Sequence, residues 1–347
     1  MKLPIGVRSR ASRRARVFFG SVLSLGVVVA GPVGCGDPLE ADDQVRVASL
    51  VFPANYVFDF DKDIREDLVF HHGGTGQTSI LYGETDTIWN EWLPLPSSLD
   101  LPDSSGWTAA RVADFDLDHK PDLLWHNGVT GETQVWFMNN RTRLGFTMLT
   151  ASNPVPDINR TDSTGWKLAG AADFNNDGVP DILWHHGGSG ATEIWHMNVL
   201  NRPRRFRRID AVAVPSIMNV PDSSGWRLVG NHDFNLDGRL DLVWHHTASG
   251  MISVWFMSDT TFLGSGQVNR TLPPGQAEVV STDPSDDGPR PHILWHNLQD
   301  GLYYRWVMGG TNSLTVQSAV ILVRQSSTGP TPVEVRVTDP NLHVIGN

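Results

Sequence analysis

Carboxylates crowd one short segment of this chain at a regular interval. Asp233, Asn235, Asp237 and Asp241 occupy positions 1, 3, 5 and 9, with Gly238 at position 6. The same frame recurs as Asp173, Asn175, Asp177 and Asp181 with Gly178, as Asp114, Asp116, Asp118 and Asp122, and as Asp59, Asp61, Asp63 and Asp67. Alternating oxygen ligands on a tight loop turn toward a common centre. A hard cation that takes six to eight oxygens in irregular geometry suits them, and calcium is that cation. Glycine at position 6 permits a left-handed turn, and position 7 can offer its carbonyl. About four Ca²⁺ sites are expected, strongest at 173–181 and 233–241, which match fully. In the other two loops His119 and Ile64 replace the glycine. Histidine tolerates positive φ better than most residues. A β-branched residue pays about 1–2 kcal/mol there, so the 59–67 loop is expected to bend differently. A worn fifth copy, Asp283, Ser285, Asp287 and Gly288, meets Pro289 and His292 near its end and is expected to bind poorly or not at all.

These loops belong to a larger repeat. The leading aspartates at 59, 114, 173, 233 and 283 recur every 50 to 60 residues. An Asp-Ser-(Ser/Thr)-Gly-Trp element precedes three of them, ending at Trp107, Trp166 and Trp226. Apolar runs such as Leu242-Val243-Trp244-His245 follow the loops. A second tryptophan lies 11 residues after the first, pairing 125 with 136, 184 with 195, 244 with 255 and 295 with 306. Short aromatic and β-branched runs bounded by Gly, Asp and Asn are strand signals. No helical periodicity is evident beyond the N-terminus. One unit therefore reads as strand, acidic loop, strand, tight turn, strand, then a looser fourth segment, which is the size of a propeller blade. Five units begin near Val45, Trp107, Trp166, Trp226 and Gln276. The expected fold is an all-β propeller of five blades of four-stranded antiparallel sheets. Val333–Asp339 resembles the first strand of a repeat; it either closes the ring on the first blade or starts a sixth.

An EF-hand fails one test, since it needs Glu at position 12, where this chain has Phe70, Trp125, Trp184 and Trp244. The pattern D-x-(D/N)-x-D-G-x-x-D before an apolar strand instead resembles the FG-GAP/VCBS repeats of integrin-α-like propellers. The D-(I/L)-L-W-H…T-G…W-x-M signature resembles the bacterial secreted branch of that family. The resemblance covers residues 46–310. It implies calcium in loops between the first and second strands of a blade, and a role in recognition.

Charge and leader narrow the function classes. The net charge is −11, and the first 35 residues take six of the 27 bases and none of the 38 acids, leaving −17 for residues 36–347. Nucleic acid is not an expected partner of so acidic a chain. Residues 17–30 form a 14-residue apolar run after a basic segment, as in an export signal, too short for a membrane span. The sole cysteine, Cys35, follows Pro32-Val33-Gly34 and resembles the modified residue of a bacterial lipoprotein signal, although Pro32 replaces the usual leucine. This predicts a signal over 1–35, a lipid anchor at Cys35 on the outer membrane or cell surface, and an acidic tether over 36–45. The alternative is plain secretion. With Cys35 modified, no thiol remains for a disulfide.

The in-phase histidines, His71-His72, His126, His185-His186, His245-His246 and His296, are read as structural. Neighbours on a strand point to opposite faces, so a pair cannot readily chelate one ion. No nucleophile elbow, HExxH, Walker loop or dinucleotide fingerprint occurs. Of 13 tryptophans, Trp89 and Trp92 stand outside the repeat and are candidates to stack on a sugar or a partner's side chain. The expected function is noncatalytic binding of a protein or carbohydrate ligand at the cell surface. The alternative is a secreted or tethered hydrolase or lyase on the same scaffold.

Overall fold

The apolar run behind each acidic loop becomes the second strand of a blade: Leu68–His72, Asp122–Asn127, Asp181–His186, Asp241–His246 and Gly288–Asn297. Continuous apolar runs of this length suit strands covered on both faces, and their Leu, Ile, Val and Trp side chains are buried. The computed structural model describes residues 59–325, with breaks at 64, 66, 84–87, 152–159, 202–203, 209 and 286–287, together with 332–334 and 342–343. Contacts separate residues 1–41 from 42–347. The signal, Cys35 and the acidic tether lie outside the described residues.

Each second strand pairs antiparallel with a third: Thr78–Gly83, Thr133–Asn139, Thr192–Trp195, Met251–Ser258 and Tyr303–Gly309. A fourth strand covers the outer edge: Ile88–Pro94, Thr142–Met148, Val212–Ala213, Thr261–Gln267 and Thr315–Ile321. On the inner side of blades 2 to 5 lie Trp107–Ala113, Trp166–Ala172, Trp226–His232 and Ala277–Ser285. These first strands contact one another from blade to blade and line the axis of the ring. The fold is a five-bladed β-propeller.

Closure falls on blade 1 and uses the C-terminal residues, though not the segment expected. Leu342–His343 pairs with His71 and His72 in the place of a first strand. Val323–Gln325 runs parallel to Ile88–Pro94 on the outer edge, and Pro332–Glu334 pairs with Val323–Gln325. The run beginning at Val333 therefore starts at the outer side of blade 1, and the described residues form five blades. Of that run only Val333 and Glu334 lie among the described residues, in the strand Pro332–Glu334; a terminal segment can pair at either edge of a blade.

Tryptophans build the core. In blades 2 to 4 the two of a unit stack obliquely, with centroids 4.7 Å apart for Trp125 and Trp136, 4.9 Å for Trp184 and Trp195 and 4.8 Å for Trp244 and Trp255, whereas Trp295 and Trp306 of blade 5 meet edge-on at 5.8 Å. Such pairs contribute about 0.5–1.5 kcal/mol beyond the area they bury. Histidines join the blades. His71, His126 and His185 place Nδ1 within 3.0, 3.0 and 3.2 Å of Thr78, Thr133 and Thr192 hydroxyls. Each ring also meets, edge-on, the tryptophan of the next blade: Trp125, Trp184 and Trp244. The second histidine of a pair turns away. His72, His186 and His246 use Nδ1 to accept the backbone N–H of Thr75, Ser189 and Ser249 and cap the tight turn. The two histidines of a pair thus face opposite sides of the strand and make different contacts.

Candidate metal centres

The loops at 114–122, 173–181 and 233–241 each join a first strand to a second, so they rise from one end of the ring, and the 59–67 loop runs into the second strand of blade 1. Their leading residue organises the turn. Asp173 Oδ1 accepts the N–H of Asp177 at 3.0 Å and Oδ2 that of Gly178 at 2.8 Å. Asp233 does the same for Asp237 and Gly238, and Asp114 for Asp118 and His119. Position 6 is left-handed where it is described: His119 at φ 64°, Gly178 at 86° and Gly238 at 81°. Ile64 lies outside the described residues.

Position 9 is the buried anchor. Asp67, Asp122, Asp181 and Asp241 are at most 1% exposed. Each accepts two backbone N–H groups. Asp241 takes Phe234 through Oδ2 and Met257 through Oδ1, both at 2.9 Å. Asp181 takes Phe174 and Met197, Asp122 takes Phe115 and Met138, and Asp67 takes Phe60 and Gly83. One carboxylate thus ties the acidic loop to the third strand. Burial pushes Asp67 up to about 8 and Asp181 and Asp241 up to about 7, and it raises Asp122 well above the usual carboxylate range. Desolvation also raises Asp61, Asp63, Asp114, Asp173 and Asp233.

Carboxylate oxygens of Asp59, Asp61 and Asp67 converge within 4.8 Å of one another, as do those of Asp114, Asp116 and Asp122. These are the two loops without glycine at position 6. Their position 3 is Asp, where the other two loops have Asn. Asn175 and Asn235 offer amide oxygens, which accept the N–H of Asp177 and Asp237, and their amides donate to the carboxylates of the same residues. At position 5, Asp63 accepts the N–H of Arg65, and Asp118 Oδ2 takes Lys120 Nζ at 2.8 Å. Asp118 Oδ1 is buried without a hydrogen-bond partner. Three converging carboxylates beside that oxygen fit a hard divalent cation. In the fifth repeat the two strands pair on into the loop region, Asp283 with His292 and, after a register shift, Ser285 with Gly288, and Asp287 lies outside the described residues.

Other features had no signal in residue type. Position 4 is left-handed in every loop, at Lys62, Leu117, Asn176 and Leu236; leucine is a poor choice for that conformation. Asn176 Nδ2 donates to Gly238 O, linking the third and fourth loops. Residues after the third-strand core reach the next blade, as Tyr82 does to Asn140 and His196 Nε2 does to Asp259 Oδ1 at 3.3 Å. Trp89 and Trp92 lie on the outer strand of blade 1, opposite Gly83 and Leu81; their side chains lie outside the described residues.

The sequence matches no protein-family model and no curated protein. The ring is similar in fold to a solved Agrocybe aegerita lectin that recognises non-reducing terminal N-acetylglucosamine, at TM-score 0.44 and 15% identity, covering 80% of this chain and 65% of that one. It is also similar to an auxiliary nutrient binding protein from Bacteroides thetaiotaomicron, at TM-score 0.42 and 8% identity, covering 84% of this chain and 68% of that one. This chain therefore spans about two thirds of the length of each.

Proposed function

We propose that this protein is a noncatalytic propeller of the FG-GAP/VCBS kind, held together by calcium and displayed outside the cell, that binds a protein or carbohydrate ligand. The observation that carries the reading is the fourfold acidic loop with its buried position-9 aspartate. At positions 1, 3, 5 and 9 the loops hold 14 acidic side chains, which repel one another unless protons or cations intervene. Calcium held by Asp59, Asp61 and Asp67, by Asp114, Asp116 and Asp122, and by the equivalent residues at 173–181 and 233–241, supplies charge neutralisation and cross-links each loop. Asp63, Asp118, Asp177 and Asp237 complete these sets. Export fits the charge and the Cys35 leader, with the lipid as membrane anchor.

Screening the protein against glycan and extracellular-protein arrays, with calcium and with EDTA, tests the ligand reading. Calcium-dependent binding without turnover supports it. Cleavage of a polysaccharide, ester or peptide panel would replace it with the hydrolase or lyase reading.

A further inference from the structure

The four acidic loops differ in what holds their position-5 carboxylate. In the loops at 173–181 and 233–241 the position-3 asparagine donates to its Oδ2, Asn175 Nδ2 to Asp177 at 3.1 Å and Asn235 Nδ2 to Asp237 at 3.0 Å. In the loop at 114–122 position 3 is Asp116, and an ionised carboxylate has no N–H to give. Lys120, at position 7, takes that place, with Nζ 2.8 Å from Asp118 Oδ2. The loop at 59–67 also has Asp at position 3 and a base at position 7, and Arg65 Nε lies 3.8 Å from Asp63 Oδ2. Position 7 of the asparagine loops does otherwise. Val179 is uncharged, and Arg239 is exposed and meets Asp237 through its backbone N–H.

Lys120 is the better placed of the two bases. Its side chain and that of Asp118 are less exposed than those of Arg65 and Asp63. Its charge also acts on Asp116 and Asp122. These are two of the three residues whose carboxylate oxygens converge within 4.8 Å. An ammonium so placed already neutralises part of what a divalent cation would neutralise. It is a counter-ion on a tether.

We propose that Lys120 competes with calcium for the loop at 114–122, holding Asp118 while calcium is scarce and raising the calcium concentration at which this loop fills. This rests on the calcium reading above and adds to it the residue that sets one site's response. Calcium entering the loop must displace the ammonium from Asp118 Oδ2 or share that carboxylate with it. Either way two cations approach one another, and their repulsion weakens as salt screens it. The amides of Asn175 and Asn235 hold the same oxygen without charge and exact no such repulsion.

Calcium titration of the full chain, followed by amide NMR, tests the proposal. The position-6 N–H groups of His119, Gly178 and Gly238 each bond the leading aspartate of their loop, so each reports its own site. K120Q should tighten calcium binding at His119 about threefold to tenfold at low ionic strength, and less at high salt. Gly178 and Gly238 should titrate as in wild type. K120R keeps the ion pair and should bind like wild type. R239Q removes an exposed charge from the same loop position and should move Gly238 less than K120Q moves His119. Unchanged or weaker binding at His119 in K120Q, tightening by K120R equal to that of K120Q, or an equal effect of R239Q overturns the proposal. If Gly178 and Gly238 still titrate in those cases, the calcium reading stands. A wild-type chain in which all three amides ignore calcium overturns both.

Discussion

Asp241→Ala separates the scaffolding role of position 9 from metal binding. The carboxylate is fully buried and accepts the N–H groups of Phe234 and Met257, both at 2.9 Å. Truncation leaves two buried donors without partners, at about 1–3 kcal/mol each, or about 2–6 kcal/mol together. Relief of the carboxylate's own desolvation, visible in its rise to about 7, draws the loss toward the lower end. Asp237 sits on the same loop but is exposed, with Oδ1 accepting the N–H of Arg239. Asp237→Ala should cost about 0.5 kcal/mol or less. Urea unfolding in EDTA reads both values without any metal contribution. In calcium, both variants lose the increment of that site. Equal stability of the two variants in EDTA would refute the reasoning, because the buried bonds would then contribute nothing beyond surface turn chemistry.

Three further outcomes are expected. Asp67, Asp181 and Asp241 have folded values raised to about 8, 7 and 7, so the calcium-free native state binds extra protons, and the stability they contribute is complete below about pH 4 and lost as pH rises through 7 to 8. His185 and His245 are depressed to about 4 by burial; their contribution is full above about pH 6.5 and is lost toward pH 4. Thermal scans in EDTA from pH 6.5 to 8.5 isolate the carboxylates and should show a falling midpoint, while the calcium increment grows because binding displaces protons. Gly178→Ala forces φ 86° on a residue with a Cβ and should cost about 1 kcal/mol although the space around it is open; the same change at Gly238 serves as replicate, and chemical denaturation reads both. His185→Ala removes a ring that bonds Thr192 and packs on Trp244 of the next blade, and at pH 7.5 should cost about 2–4 kcal/mol.

Much of the ring was legible because its signals repeat. The in-phase tryptophans at 125, 184 and 244 and the acidic loops ahead of them marked the first three strands of a blade, and the boundaries at Trp107, Trp166 and Trp226 coincide with strand starts. Closure was only half legible. Val333–Asp339 has strand composition, but edge choice depends on tertiary pairing that local pattern does not encode. The ribbon of Met197–Asn201 and Arg204–Arg208 was not legible because the repeat signature of blade 3 ends at Trp195. At the acidic loops, residue spacing revealed positions 1, 3, 5 and 9. It did not reveal that position 9 is a double backbone acceptor.

The central claim is that calcium in these loops staples the blades. Thermal unfolding in millimolar calcium, in magnesium and in EDTA, at matched ionic strength, tests it most directly. A site whose Kd lies 100-fold below the calcium concentration adds about 2.7 kcal/mol, so several sites should raise the midpoint well clear of both the magnesium and the EDTA values. Identical midpoints in all three would contradict the account and leave the acidic loops as turns held by their own backbone hydrogen bonds.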